Sequence, residues 1–213
     1  MTPLDLIPRD IRRLYRVVEF KHAATILASD FPTEFAELCG ALRAFRFTDD
    51  DVRVLGGNES PIPKAFSRLL RPRWKEQILR ARMVVDDQDV SEDTHKIDYV
   101  KGRIAFDLEW NSKDQTFDRD LAAFRAFFEY DRISVAVLVT RDTDSMVPYF
   151  RKLGTFVDAT GKTRKVIDKY GHEGGSTTHM DQLLPRLEAG RAGGCPVLAL
   201  GITPKLRTGE KGA

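Results

Sequence analysis

Cysteine is scarce in this chain. Among 213 residues there are only Cys39 and Cys195, far apart and without close ligand partners, which excludes a disulfide framework or zinc-cysteine cluster and fits a reducing, cytoplasmic setting. Histidine is nearly as sparse. His95, His172 and His179 invite a metal reading, but no pair has the spacing of a compact metal motif, so each is expected at the surface or facing DNA. No apolar run approaches the ~18 to 20 residues of a membrane span, and the first residues lack the charged-then-apolar order of a signal peptide. Neither charge sign dominates: 34 Lys and Arg face 32 Asp and Glu, a formal net charge of +2. Repeats and low-complexity tracts are absent. The glycines of the 56–63 loop lack both the Gly-Lys-Ser/Thr ending of a phosphate loop and dinucleotide spacing. The length suits one domain, residues 1–213, with a sizeable core.

What is present is concentrated between Lys96 and Trp110. Lys101-Gly102 is a two-residue connection whose glycine can take the positive φ of a tight hairpin turn. With Val100 opposite Arg103, Asp98 falls opposite Ala105 and shares a sheet face with Asp107 and Glu109. Ile104, Phe106, Leu108 and Trp110 take the other face, with the period of two of a half-buried strand. Asp98 and Asp107 become diagonal neighbours, roughly 7 Å apart, close enough to converge on one cation. Crowded carboxylates either take up protons or recruit a cation. Oxygen donors favour Mg²⁺ or a similar hard ion, which polarises a phosphoryl oxygen and activates a bound water. Asp98 and Asp107 suit direct ligation, while Glu109 either completes the shell or deprotonates the water. The alternative is a solvated acidic face balanced by Lys96, Lys101 and Arg103. Glycoside hydrolysis would need its two carboxylates on opposing walls of a cleft, which one hairpin face does not provide.

Downstream, Asp118 and Asp120 mark the first turn of a helix running to about Tyr130, where acids complement the helix dipole. Phe117, Leu121, Phe124 and Phe128 form one stripe, and Ala123 and Phe127 add a second apolar edge. Ile133 to Val139 reads as a strand buried on both sides. Strand, helix and strand make a crossover unit in an α/β fold. Upstream, Pro8 to Phe20 mixes helical and strand signals, and Phe31 to Phe45 is an amphipathic helix with Phe35, Leu38, Leu42 and Phe45 near one side. A basic helix is expected from about Lys64, with Glu76 on it as a surface residue or an upstream member of the acidic site.

These residues carry a family resemblance. An acid, a hairpin turn, a second acid and a third polar position two residues on resemble the PD-(D/E)XK nuclease superfamily. Ile97-Asp98-Tyr99-Val100-Lys101, Phe106 to Asp114 and Phe117-Asp118-Arg119-Asp120-Leu121 resemble the type II restriction endonucleases of the BglII/BamHI group. The likeness extends to Ser176-Thr177-Thr178-His179 and Gly190 to Leu198, covering most of the chain from about Val17. It implies a central mixed β-sheet flanked by helices and a homodimer joined through a helix bundle, to which the second apolar edge corresponds. It also implies Mg²⁺-dependent cleavage, with Mn²⁺ able to substitute, of double-stranded DNA at a short palindrome, leaving 5′-phosphate ends. Asp98 and Asp107 would be metal ligands with the Leu108 carbonyl, and Glu109 the third catalytic position. Ile97 replaces the signature proline, and Asp107 replaces a more usual glutamate. A palindrome containing GATC is the expected site, which a cognate methyltransferase modifies without binding this chain.

For DNA contacts, the candidates are Asn111, Ser112 and Lys113, then Arg141 and Asp142, then Ser176, Thr177, Thr178 and His179, reading bases or phosphates from loops. Serine and threonine before Met180 also suit a helix N-cap, and Pro185 should kink or end that helix. Two basic clusters suit phosphate contacts: Lys64, Arg68, Arg71, Arg73, Lys75, Arg80 and Arg82, and then Arg151, Lys152, Lys162, Arg164, Lys165 and Lys169. A DNA-binding protein that has lost cleavage, and a repair nuclease on the same fold, are the competing functions.

Overall fold

The computed structural model describes residues 2–54 and 60–209, and of residues 83–85 and 89–93 only the backbone. The mixed signals of the N-terminal segment resolve into two elements in direct succession, α1 (Arg9–Leu14) and β1 (Tyr15–Phe20). α2 (Ala23–Asp30) and α3 (Pro32–Ala44) follow, and Phe35, Leu38 and Leu42 of α3 are buried, as is Phe45 beyond it. Thr48 and Asp51 form a capping box on α4 (Asp49–Arg53). α5 (Pro61–Leu70) begins three residues before Lys64, because Pro61 and Pro63 fall in the first turn, where a missing N–H breaks no helical bond. The 55–59 part of the expected loop lies outside the described residues.

β2 (Lys75–Val85) and β3 (Gln88–Lys101) form a long hairpin turning at Asp86 and Asp87, with φ of 49° and 61°. Glu76 therefore stands on a strand and not on the basic helix. Then come β4 (Ile104–Leu108), α6 (Gln115–Glu129), β5 (Val135–Arg141), α7 (Thr143–Leu153), β6 (Thr155–Val157), β7 (Thr163–Lys165), α8 (Val166–Tyr170), α9 (Met180–Glu188) and β8 (Val197–Ile202). α9 runs through Pro185 instead of ending there. The carbonyl that Pro185 leaves unpaired, that of Asp181, belongs to an exposed residue in the first turn.

The main sheet has the order β1-β8-β5-β4-β3-β2. β8, β5 and β4 are parallel, and the flanking pairs are antiparallel. β4, α6 and β5 form the expected crossover. All seven residues of β5 are buried, since it is covered on both faces. Val135, Val137 and Val139 join Ile104, Phe106, Leu198 and Leu200 in one core, beneath α2, α3, α5 and α7. Ala136 and Leu138 join Val100, Ala105, Val197 and Ala199 in a second core, beneath α6 and α9.

That second core corrects the expectation that acids hold one whole sheet face. Val100 and Ala105 are apolar and compact, so α6 packs over them through Phe117, Leu121 and Phe124. The acids occupy only the end of the face. Ala123 and Phe127, the second apolar edge of α6, are also buried within the chain, so this edge is not left free to build a helix bundle. Among the described residues, no helix is long and apolar enough to cross a membrane.

Candidate active site

The β3–β4 turn is shifted by two residues in its pairing from the simplest expectation. Lys101 pairs with Ile104, Val100 with Ala105 and Tyr99 with Phe106. Gly102 thus takes the first central turn position with φ of 55°, the place a type II′ turn reserves for glycine. An even shift leaves every side chain on its expected face, but it sets Asp98 across from Asp107. The Asp98 N–H donates to Asp107 Oδ1 at 2.8 Å. On its other side β3 bulges, since Lys75 pairs with Val100 but Gln77 pairs with Ile97. Asp98 and Tyr99 together face Glu76, and such an extra residue re-aims the side chains beside it.

Asp107 is buried and Glu109, two residues on, has a side chain only 12% exposed. The Glu109 N–H donates to the Val139 carbonyl, and its own carbonyl accepts from Thr140 Oγ1, both at 2.9 Å. A fourth carboxylate completes the group. Asp120 projects inward from α6 and is buried, while Asp118 faces outward to Arg186 and Arg191 at 3.2 and 3.3 Å. The dipole role expected of both acids hid this difference. Asp120 follows Phe117 by three positions and precedes Leu121, so it falls on the buried stripe, a sequence signal that could have singled it out.

Asp98, Asp107, Glu109 and Asp120 all line one cavity of about 650 Å³, together with His95, Lys96, Asn111, Ser112 and Arg119. Among the described residues, cations stand only at its mouth. Arg119, 73% exposed, lies 2.9 Å from Asp120 and 3.5 Å from Glu109. Lys96 Nζ lies 2.6 Å from Glu76 and 3.4 Å from Asp98. Burial, and then the Asp120 charge, push the Asp107 carboxyl well above the usual carboxylate range. The same two causes lift Glu109 to about 8. Burial lifts Asp120 to about 6, although Arg119 opposes it. An all-oxygen donor set with more buried negative charge than its neighbours neutralise matches a hard divalent cation.

The candidate DNA contacts divide into two groups. Ser112 and Asn111 line the cavity, and Lys113 is exposed, with Nζ 2.9 Å from the Gly174 carbonyl. Arg141, Asp142, Ser176, Thr177, Thr178 and His179 are instead buried and engaged inside the chain. Arg141 donates to the Thr178 carbonyl at 2.8 Å and the Ser176 carbonyl at 3.0 Å, and its guanidinium lies 5.0 Å from the Tyr170 ring centre and 5.5 Å from that of Trp110. Asp142 caps α7 through the Ser145 N–H at 3.1 Å. Thr177 Oγ1 donates to Asp114 at 2.7 Å. The cap position of α9 is His179, which makes no side-chain cap bond, so Ser176, Thr177 and Thr178 do not cap this helix; Thr143 Oγ1, from α7, accepts the Asp181 N–H instead. In this conformation these six residues hold loops together and are not presented to DNA.

The histidines are also not scattered. His95 lines the cavity, whereas His172 and His179 meet with ring centres 5.0 Å apart. The basic stretch from Lys64 to Arg82 does lie exposed on α5, β2 and the link between them. In the second cluster Lys169 is partly buried and donates to the Val54 carbonyl at 2.6 Å, while the others are exposed.

A mixed sheet flanked by helices, with acids gathered at the hairpin and the end of a central strand, is the restriction-endonuclease type of fold. The chain belongs to the restriction endonuclease BglII/BglIII family, whose sequence model matches residues 15–202, most of its length. It is accordingly a nuclease that hydrolyses phosphodiester bonds in DNA. No curated protein matches the chain.

Proposed function

We propose that this chain is a Mg²⁺-dependent type II endonuclease, with Mn²⁺ able to substitute, that acts as one domain in a homodimer on a short palindrome in double-stranded DNA. The cut leaves 5′-phosphate ends, and GATC lies within the site. The setting is the cytoplasm of a cell that restricts foreign DNA and protects its own by methylating the same sequence. The observation that carries this reading is the convergence of Asp98, Asp107, Glu109 and Asp120 on one cavity whose cations stand only at the mouth.

The donor chemistry fits the ion. Asp98, Asp107 and the Leu108 carbonyl would hold it, with Asp120 supplying a further negative charge behind them. When bound, the cation polarises a phosphoryl oxygen and lowers the pKa of a water. Glu109 receives the proton of the attacking water; burial raises its carboxyl to about 8 in the metal-free chain, and a cation bound beside it would favour the ionised form that acts as the base. Arg119, exposed at the rim, neutralises charge on the scissile phosphate. The exposed cations of α5 and β2 hold the DNA backbone, which gives affinity without sequence preference. Asn111, Ser112 and Lys113, continuing from the catalytic strand, contact bases or nearby phosphates.

Digestion of unmethylated plasmid and phage DNA in Mg²⁺ and in EDTA, with fragment ends sequenced, tests the proposal. Discrete Mg²⁺-dependent fragments sharing one palindrome are expected. Structure-selective nicking would indicate a repair nuclease, and binding without cutting by the folded dimer would indicate a DNA-binding protein.

A further inference from the structure

Away from the acid cavity, the segment from Gly171 to Asp181 gathers a different donor set. One ligand-capable atom from each of His172, His179 and Asp181 lies within 4.8 Å of the others. His179 is 2% exposed, and its Nε2 has no hydrogen-bond partner among the described residues. Its Nδ1 lies 3.2 Å from Thr143 Oγ1, which also accepts the Asp181 N–H at 3.1 Å. A hydroxyl that holds one ring nitrogen fixes the imidazole and leaves the other nitrogen to bind a metal. Without such a ligand, the buried nitrogen is an unsatisfied polar atom of the kind native interiors rarely keep.

The backbone that carries His172 is closely fitted. A Cβ at Gly171 would lie 2.7 Å from the Ile167 carbonyl oxygen, and one at Gly174 would lie 2.7 Å from that of Lys169. The Gly175 and Ser176 N–H groups donate to the Asp168 and Lys169 carbonyls at 3.0 and 2.7 Å. His172 and Asp181 themselves are exposed, so an ion reaches the group from solvent.

We propose that His172, His179 and Asp181 form a divalent metal site of the zinc class, separate from the carboxylate cavity, which clamps the 171–178 loop to the start of α9. Two imidazoles and one carboxylate suit Zn²⁺ far better than Mg²⁺, and a water completes the tetrahedron. Tetrahedral ligands stand roughly 3.3 Å apart, so the exposed His172 and Asp181 side chains rotate inward while His179 stays in place. The clamp bears on the nuclease site through the same loop. Ser176 Oγ contacts the Trp110 and Ser112 carbonyls at 2.9 and 3.0 Å, which ties the loop to the segment just after Glu109.

The test uses the full chain with Asp98→Asn and Asp107→Asn, which removes the carboxylate donors of the other cavity. After dialysis against EDTA it is titrated with Co²⁺ and then Zn²⁺. Binding of one equivalent is expected, with the visible absorption of tetrahedral Co²⁺, displaced by Zn²⁺ but not by Mg²⁺. At 100 times the Kd, Zn²⁺ should raise the thermal midpoint by roughly 5 °C. Adding His172→Ala or Asp181→Asn, both exposed positions, should weaken uptake at least about tenfold while the circular dichroism spectrum is unchanged. The parent chain in excess Mg²⁺ repeats the titration should the double variant fold poorly. No uptake by folded protein, or uptake indifferent to both substitutions, would overturn the site.

Discussion

Two neighbouring strands of the same sheet each end in buried charge, and they settle it differently. At the end of β5, Arg141 is 1% exposed and has no carboxylate partner among the described residues, yet the Ser176 and Thr178 carbonyls and three aromatic rings surround it. Along β4, Asp107 and Glu109 face further acids, Asp98 and Asp120, and burial raises the pKa of Asp107, Glu109 and Asp120. Neutral carbonyls and rings solvate the cation in part, although its Nη1 has no hydrogen-bond partner among the described residues and burial lowers its pKa to about 9, whereas the acids face further like charge. A lone charge that the fold surrounds with carbonyl dipoles and rings is architecture, and like charges gathered without cations among them are available for chemistry.

The largest effect expected from breaking this contrast is on cleavage. Asp98→Ala or Asp107→Ala should slow single-turnover cutting by about three orders of magnitude, the scale of losing several kcal/mol of charge stabilisation. Gel-shift affinity for DNA should change little, because phosphate contacts dominate binding. Arg141→Ala should act on the other side of the contrast. It removes buried hydrogen bonds and ring contacts, so urea denaturation should report a loss of about 3 kcal/mol. Arg141→Lys should recover only part of it, since an ammonium lacks the planar fork that reaches both carbonyls.

A smaller effect concerns pH. In EDTA, Glu109 and Asp120 hold protons in the folded chain up to about 8 and 6, against ordinary values of 4.5 and 3.8 when free. Their contribution to stability is fully present below pH 4 and is lost as pH rises through those folded values. Glu109→Gln should flatten the fall in thermal midpoint between pH 5 and 8, measured against the parent. The smallest effect is expected at Asp118→Asn. Its pairs with Arg186 and Arg191 are partly exposed, and their loss should cost under about 1 kcal/mol in the same denaturation assay.

The sequence made the local parts of this arrangement readable. Alternation placed Asp107 and Glu109 on one face of β4, and the aromatic stripe located α6. Apolar continuity marked β5. Even the misplaced turn left the acids on the correct face, because the shift was even. What stayed hidden depends on contacts that no local pattern encodes. The Arg141 bonds span 35 and 37 residues, and an arginine after a buried strand gives no sign that distant carbonyls will enclose it. Asp120 was obscured for a different reason. Its place in the first helical turn already had an ordinary electrostatic explanation, which masked its position on the buried stripe. His172 and His179 meet because the glycine-containing loop between them folds back, a path set by packing against Ile167 and Lys169.

The most direct test of the contrast is Asp107→Asn, which keeps the shape of the side chain and removes its charge. Thermal midpoint and DNA cutting should be measured together, in EDTA at pH 8 for stability and in Mg²⁺ for activity. A variant that melts higher than the parent and cuts no DNA is expected, since the strained charge and the catalytic charge are the same one. A variant that melts lower in EDTA, or that still cuts at the parental rate, would contradict it.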